Sequence, residues 1–344
     1  MSLELIFCSG FDFHNTAGLA FDWDNVGTDT KVNTTLGVPR TGIGCLEITS
    51  AAFGPSKVFT ASDQVMCTTA FNPNGGVPAG TKANIMWLIS AATADQQIRV
   101  CYEPDLSISV YNGNDPFPLL LGQSAAGVID TSGYNYITCK AFIHATQGSV
   151  QIRVNGVLVL NLQNVKTRVT GSAASVDKWQ LLSLSTTTQY HDDSTLWYWT
   201  DAADDITGAP LIYCAMPTAD VSVAWTPSAG GTNFNLVDEI PQSTVDYVSS
   251  AAAGSIDQYT HAIPVLEQVP ALPASFTVLG CLHSLLAELD GPGAHTLASD
   301  ADGDVGAAEA LTTSYAYRVT PRTPGPVSSL ATLATTPFGP DLVT

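Results

Sequence analysis

Charge is scarce in this chain of 344 residues. Lys and Arg number 12, Asp and Glu 31, and charged side chains make up 12% of the whole, about half the usual share of a globular protein. No cluster of Lys and Arg interrupts the acidic surplus, and the formal charge is -19. A nucleic-acid partner is therefore not expected, because phosphate binding needs a cationic face that releases counterions. No apolar run reaches the ~18 to 20 residues of a membrane-crossing helix, so membrane insertion is not expected. The opening MSLELIFCSG has neither a basic n-region nor a small-residue cleavage site, and no signal peptide is expected from it.

Metal and disulfide patterns are missing too. The seven cysteines are scattered without a CxxC, which argues against a zinc site and against a dense secreted disulfide scaffold. Several lie inside apolar runs and read as small buried hydrophobes. There is no GxSxG elbow, no HExxH and no Gly-rich phosphate loop. The chain has seven Glu, none in an acidic ExDxE strand. No catalytic residue, metal or cofactor is assigned, and the protein is not expected to be an enzyme.

What is abundant is strand character. Hydrophobic residues make up 45% of the chain, in short runs rich in Val, Ile, Leu, Thr and aromatics, punctuated by Gly, Asn, Asp, Ser and Pro. This pattern predicts an all-β sandwich or barrel. Residues 106 to 111 alternate, with Leu106, Ile108 and Val110 on one face and Ser107, Ser109 and Tyr111 on the other. In GSVQIRVNGVLVLNL (148 to 162), Asn155-Gly156 predicts a two-residue type I′ hairpin. Asn112 to Asn114 reads as a weaker one. Residues 275 to 290 read either as the one helix candidate or, because Gly280 interrupts it, as a strand.

A composition change near residues 205 to 220 predicts two domains, 1 to 210 and 211 to 344. The Pro-rich tail reads as an extended arm or terminal strand whose prolines would blunt a sheet edge.

Three clusters invite chemistry. Asp12, His14, Asp22 and Asp24 interleave with Phe11, Phe13, Phe21 and Trp23. As a strand, a turn and a second strand, they place carboxylates outward and aromatics in the core. The run DADGDVGAAEA (300 to 310) matches a calcium loop at Asp300, Asp302 and Asp304, yet puts Val305 at the turn-glycine place and Leu311 at the bidentate place; it reads as an acidic hairpin tip. His191, Asp192 and Asp193, with Asp201, Asp204 and Asp205, flank LWYWT and read as loop carboxylates around a core strand. In that group Trp197, Tyr198 and Asp201 are the candidate contacts for a glycan or host surface, by stacking and hydrogen bonding.

Several stretches in order resemble a family of tailed-bacteriophage virion proteins: LIFCSGFDFHNT, the 150 to 168 hairpin, ASVDKWQLLSL and STLWYWTDAADD. They are followed by an AWTP segment, Asn233 to Glu239, DYVSS and SYAY. The likeness covers roughly residues 1 to 50, 80 to 260 and 270 to 317; the last 25 residues depart from it. It implies a concanavalin A/laminin-G-like jelly roll followed by a smaller β-sandwich-like module. It further implies a structural component of the virion, at the tail or baseplate, assembled in the bacterial host cytoplasm. Its partners would be other virion proteins, further copies of itself and a host-surface glycan. The alternatives are a capsid decoration or head-fibre protein, or a glycan-binding adhesin; a glycan hydrolase is the third class.

Overall fold

A computed structural model describes residues 3–11, 19–27, 30–35, 39–40, 44–49, 52–75, 77, 79–114, 118–183, 188–212, 215–238, 245–262, 279, 281–289, 294–301, 304–305, 307–313, 316–322 and 337–343. The described chain is all-β apart from two short helical turns. It divides into two compact units, the first formed by Met1–Phe11 and Asn15–Ile212, the second by Tyr213–Thr344.

The first unit is a sandwich of two antiparallel sheets. Its strands are β1 (Glu4–Ser9), β2 (Thr30–Asn33), β3 (Cys45–Ile48), β4 (Ala52–Ser62), β5 (Gln64–Asn72), β6 (Ala83–Ser90) and β7 (Asp95–Tyr102). They continue with β8 (Ile108–Asn112), β9 (Leu119–Gln123), β10 (Asn135–Phe142), β11 (Gly148–Val154), β12 (Val157–Val165), β13 (Val176–Ser183) and β14 (Gln189–Tyr198). Sheet A runs β12-β11-β10-β5-β14-β3-β2, with β1 also on β14; sheet B runs β4-β13-β6-β7-β8-β9. Neighbours far apart in sequence, such as β5 beside β14, give the crossed connections of a jelly-roll sandwich.

The core lies between the sheets. Sheet A contributes Val65, Phe71, Ile137 and Ile152, and sheet B contributes Leu88, Val100, Val110 and Trp179, all within one apolar cluster. At its centre Trp23 meets Phe7 edge-on with 4.9 Å between centroids, lies parallel to Phe11 at 6.1 Å and approaches Trp179 at 5.6 Å. The aromatic residues of the opening stretch are thus core residues where they are described: Phe11 is fully buried and Trp23 nearly so. The second strand read there is instead a single helical turn, Leu19–Asp22, closed by Trp23 N–H donating to Leu19 O at 2.9 Å. That turn swings Trp23 inward, which a straight strand continuing from β1 does not do.

Local turn chemistry sets the hairpins. Asn155 and Gly156 have φ of 50° and 82°, and Val154 pairs with Val157 across them, the type I′ geometry expected of Asn-Gly. The Asn155 side chain locks the turn to the next strand by accepting Tyr136 N–H at 2.8 Å. A side chain at position 156 would strike Thr207 O. In β8 the alternation holds: Ile108 and Val110 are in the core, and Asn112 pairs with Leu119 across the second hairpin.

In the second unit the strands are β15 (Met216–Ser222), β16 (Thr226–Pro227), β17 (Val248–Ser249), β18 (Ser255–Ile256), β19 (Gln258–Ala262), β20 (Cys281–Ala287), β21 (Thr296–Ala301), β22 (Asp304–Val305), β23 (Glu309–Ala310), β24 (Ala316–Arg322) and β25 (Phe338–Leu342). A seven-stranded sheet is ordered β15-β19-β25-β21-β22, with β18 on β25 and β23 on β21; β16 pairs β17 and β20 pairs β24. Within the helix candidate, Cys281–Ala287 is the strand β20; residues 275–278, 280 and 290 lie outside the described residues. The tail strand β25 is not at an edge but between β19 and β21, and Pro340 fits there because its carbonyl still accepts Asp257 N–H at 3.1 Å.

One carboxylate organises this unit. Asp257 is fully buried and accepts Ala224 N–H at 2.6 Å, Trp225 N–H at 2.8 Å, Asn233 Nδ2 at 2.5 Å and Tyr259 OH at 3.0 Å. Four donors on one carboxylate meet the desolvation cost of burying it, and they tie the AWTP segment to β19.

Candidate functional site

The candidate contacts Trp197, Tyr198 and Asp201 are not brought together. Successive residues of β14 face opposite ways. Trp197 is 3% exposed, on the outer face of sheet A, with its indole N–H donating to Thr195 Oγ1 at 2.6 Å. Its ring has no open side on which a sugar could stack. Tyr198 faces the sandwich core, packs against Phe59 at 6.3 Å and donates its OH to Thr60 O at 2.6 Å. Asp201 is exposed, its carboxylate accepting Ala203 N–H at 2.9 Å.

The covering layer is the chain's own. Residues 199–212 cross the outer face of sheet A as a strap. Lys140, on that face of β10, donates to Ala202 O at 2.8 Å and to the carbonyls of Asp201 and Asp204, and stands 4.4 Å from the Trp199 ring centroid. Burial pulls the Lys140 ammonium below its ordinary value, against the opposing pull of Asp205, Asp204 and Asp201. Arg153 binds Asp205 through two nitrogens at 2.9 and 2.6 Å. The far end of the strap closes on Asp193, whose Oδ1 accepts Ile212 N–H at 2.7 Å.

His191, Asp192 and Asp193 are therefore not loop groups. All three are fully buried within β14. A bulge between Asp192 and Thr195, with Asp193 at φ 44°, turns both carboxylates toward Arg40. Arg40 N–H donates to Asp192 Oδ2 at 2.8 Å, and the guanidinium meets Asp193 Oδ2 at 2.5 Å and Pro210 O at 3.1 Å. The Arg40 guanidinium also lies 5.3 Å from the Tyr136 ring centroid. This is an internal ion pair that anchors the strap, and its hydrogen-bonding capacity is spent on the chain itself.

His191 faces the core beside Thr69, 3.3 Å from Nδ1 to Oγ1, and burial pulls its imidazole down to about 3. The folded chain holds it neutral, while the unfolded chain takes up the proton below about pH 6.5. Its contribution to stability is thus full above pH 6.5 and is lost as pH falls from there toward 3, at up to about 1.4 kcal/mol per pH unit. Urea midpoints followed by tryptophan fluorescence should fall between pH 6.5 and 4, and His191→Phe should remove part of that slope. An unchanged slope in the variant would show that His191 does not carry it.

The other clusters separate. Asp12 and His14 lie outside the described residues, as do Phe13 and the side chains of Phe21 and Asp22. Asp24 is exposed and accepts Val58 N–H at 2.7 Å. In the 300 to 305 run Asp300 pairs with Val305 and Ala301 with Asp304, antiparallel as expected of an acidic hairpin; Asp302 and Gly303 lie outside the described residues. Among the described residues no group of three or more His, Cys, Asp or Glu side chains converges as a metal would need, and no helix is long and apolar enough to cross a membrane.

A polar patch lies on sheet B where β7, β8 and β9 meet; its Ser107 and Ser109 are fully buried, while Asp105, Leu120 and Gln123 are exposed. Tyr111 pairs with Leu120 across the strands; Tyr111 is half-buried and Leu120 is 48% exposed. Glu103 Oε1 accepts Tyr111 OH at 3.0 Å and the Ser109 hydroxyl. Gln123 Nε2 donates to Ser107 Oγ at 2.7 Å, and Ser107 Oγ in turn donates to Asp105 Oδ1 at 2.6 Å. The Ser107 hydroxyl, then its amide, hold the Asp105 carboxyl below its ordinary value. Lys82 Nζ stands 3.7 Å from the Tyr111 ring centroid. An apolar step of Tyr and Leu is thereby flanked by a carboxylate and an amide pre-oriented by neighbours, with an ammonium over the Tyr111 ring. Its signal was present in the sequence as the outward row Ser107, Ser109, Tyr111; the convergence of Lys82, Glu103 and Gln123 on that row was not.

No family model matches the chain, and no curated protein matches it. Among solved structures it is similar to alginate lyase Aly36B, with 10% identity, TM-score 0.42, and 57% of this chain and 96% of that one covered. It is also similar to domain 4 of AbnA, a GH43 extracellular arabinanase from Geobacillus stearothermophilus in complex with arabinotriose (13%, TM-score 0.39, 58% and 94%). A third is the carbohydrate-binding module CBM66 from Bacillus subtilis (10%, TM-score 0.34, 49% and 96%).

Proposed function

We propose that this protein is a glycan-binding β-sandwich protein whose sheet B surface, centred on Tyr111, takes a sugar without transforming it. The observation that carries the reading is the pairing of Tyr111 with half-exposed Leu120 beside fixed polar groups. The apolar face of a pyranose suits such a step, and its hydroxyls suit a carboxylate and an amide at the rim. Lys82 sits on a flexible four-carbon stem and can swing off the ring to admit the sugar. Glu103 shares one oxygen between Ser109 and Tyr111, a role in orientation rather than proton transfer. The sparse charge elsewhere suits close contact with neighbouring subunits or a host surface.

A glycan array followed by calorimetry tests this. Oligosaccharide binding should weaken at least about tenfold in Tyr111→Ala, the loss of one stacking contact and its hydrogen bond, and severalfold in Glu103→Gln. Absence of binding to any oligosaccharide at millimolar concentration would sink the reading. Its setting on a tailed-phage virion is a proposal resting on the ordered sequence resemblance alone. Antibody-gold labelling of purified particles decides it.

A further inference from the structure

Two of the seven cysteines face each other. Cys67 on β5 and Cys139 on β10 are direct partners in an antiparallel ladder, between the pairs Met66–Lys140 and Thr68–Thr138. Both side chains belong to the sandwich core and both are fully buried. Directly opposed residues of such a ladder have Cα atoms about 4.5 to 5.5 Å apart, inside the roughly 4.4 to 6.8 Å that a disulfide spans. No other described cysteine has this placement: Cys8 faces Thr195, Cys45 faces Asn33, Cys101 faces Asn84 and Ser109, and Cys281 faces Arg322.

We propose that Cys67 and Cys139 form a latent cross-strand disulfide, made by exchange with a small disulfide oxidant while β5 and β10 are apart and sealed in when the sandwich closes. One cysteine thiolate attacks a sulfur of oxidised glutathione, forming a mixed disulfide and expelling one glutathione thiolate. The second cysteine thiolate then attacks the protein sulfur of that mixed disulfide and expels the other. Two electrons pass to glutathione, and the two cysteine protons go by way of solvent to its thiolates. Two thiols become one disulfide, and one oxidised glutathione becomes two reduced ones.

The closed fold resists the same reaction. Burial pushes the Cys139 thiol up to about 12, and it raises Cys67 well above its ordinary value with a smaller push from Cys139. The thiolate that exchange requires is scarce there, and neither sulfur is reachable from solvent. The bond is thus decided at folding, by the redox poise of the compartment in which the strands first meet.

The test is to refold the full chain from urea in oxidised and reduced glutathione, alkylate under denaturing conditions and map the peptides. A linked peptide joining residues 67 and 139 is expected as the dominant cross-link. The melting temperature should be roughly 10 °C higher than for chain refolded reduced, because the bond closes a long loop in the unfolded state. Oxidised glutathione added to the already folded, reduced chain should leave both thiols free over hours. Cys139→Ala should refold with one melting temperature in either buffer. The proposal is overturned if chain regaining native tryptophan fluorescence carries no 67–139 link, if that link is no commoner than other pairings, or if the linked chain fails to refold. Because the peptide map uses the unaltered chain, a variant that does not fold leaves the test intact.

Discussion

Arg40→Ala should destabilise the first unit by about 3 to 5 kcal/mol, the range for removing one partner of a buried ion pair. In a unit of this size that is a fall of roughly 10 °C in melting temperature. The reason is the site Arg40 fills. Asp193 is 1% exposed at its side chain and Arg40 18%. Asp192 is fully buried beside them. With the guanidinium gone, the two carboxylates keep their desolvation cost and lose the cation facing them, and the carbonyl of Pro210 loses a donor. The strap end should loosen first, so amides of residues 209 to 212 should exchange with deuterium faster than those of β5 or β10. Asp193→Asn combined with Arg40→Met removes both charges, and its cost should fall well short of the sum of the two single changes. A loss under about 1 kcal/mol for Arg40→Ala in urea unfolding would mean the pair behaves as a surface bridge.

Trp179→Ala should cost a similar 3 to 5 kcal/mol, through a different mechanism. Trp179 is fully buried and touches Trp23 at 5.6 Å and Phe7 at 6.5 Å between centroids. Truncation removes the transfer energy of a large ring and leaves a cavity that rigid neighbouring strands cannot fill. Trp179→Phe separates ring volume from the indole N–H. The indole Nε1 has no hydrogen-bond partner among the described residues, so a phenyl ring gives up packing area but no hydrogen bond. It should cost no more than about half as much. Equal losses for the two variants in urea unfolding would mean that the indole N–H, not ring volume, holds the site.

Both effects depend on contacts that the sequence shows only in fragments. Arg40 stands 153 residues from Asp193, and nothing near either residue marks the other. Read locally, His191 to Asp193 looked like solvated loop carboxylates, because acidic residues are rarely buried unless paired. The partner that makes burial affordable sits on another segment. The burial of Trp197 is likewise not marked in the residues around it.

What the order of residues settled was short-range. Asn-Gly at 155 and 156 specified its turn because few other residues accept two positive φ angles in succession. Period-two alternation around residues 106 to 111 picked out Ile108 and Val110 as the core face of β8 because the pleat imposes that period, but not that Ser107 and Ser109 on the other face are buried as well. The departures of Val305 and Leu311 from a calcium loop left a hairpin. Scarce charge and punctuated β-runs were enough for an all-β chain. Tertiary structure alone decided which side chains gather around Tyr111, which carboxylates are buried against a cation, and that Cys67 meets Cys139. Those are matters of register between distant strands, and register is set by the summed packing of a whole sheet face, which no short stretch of sequence contains.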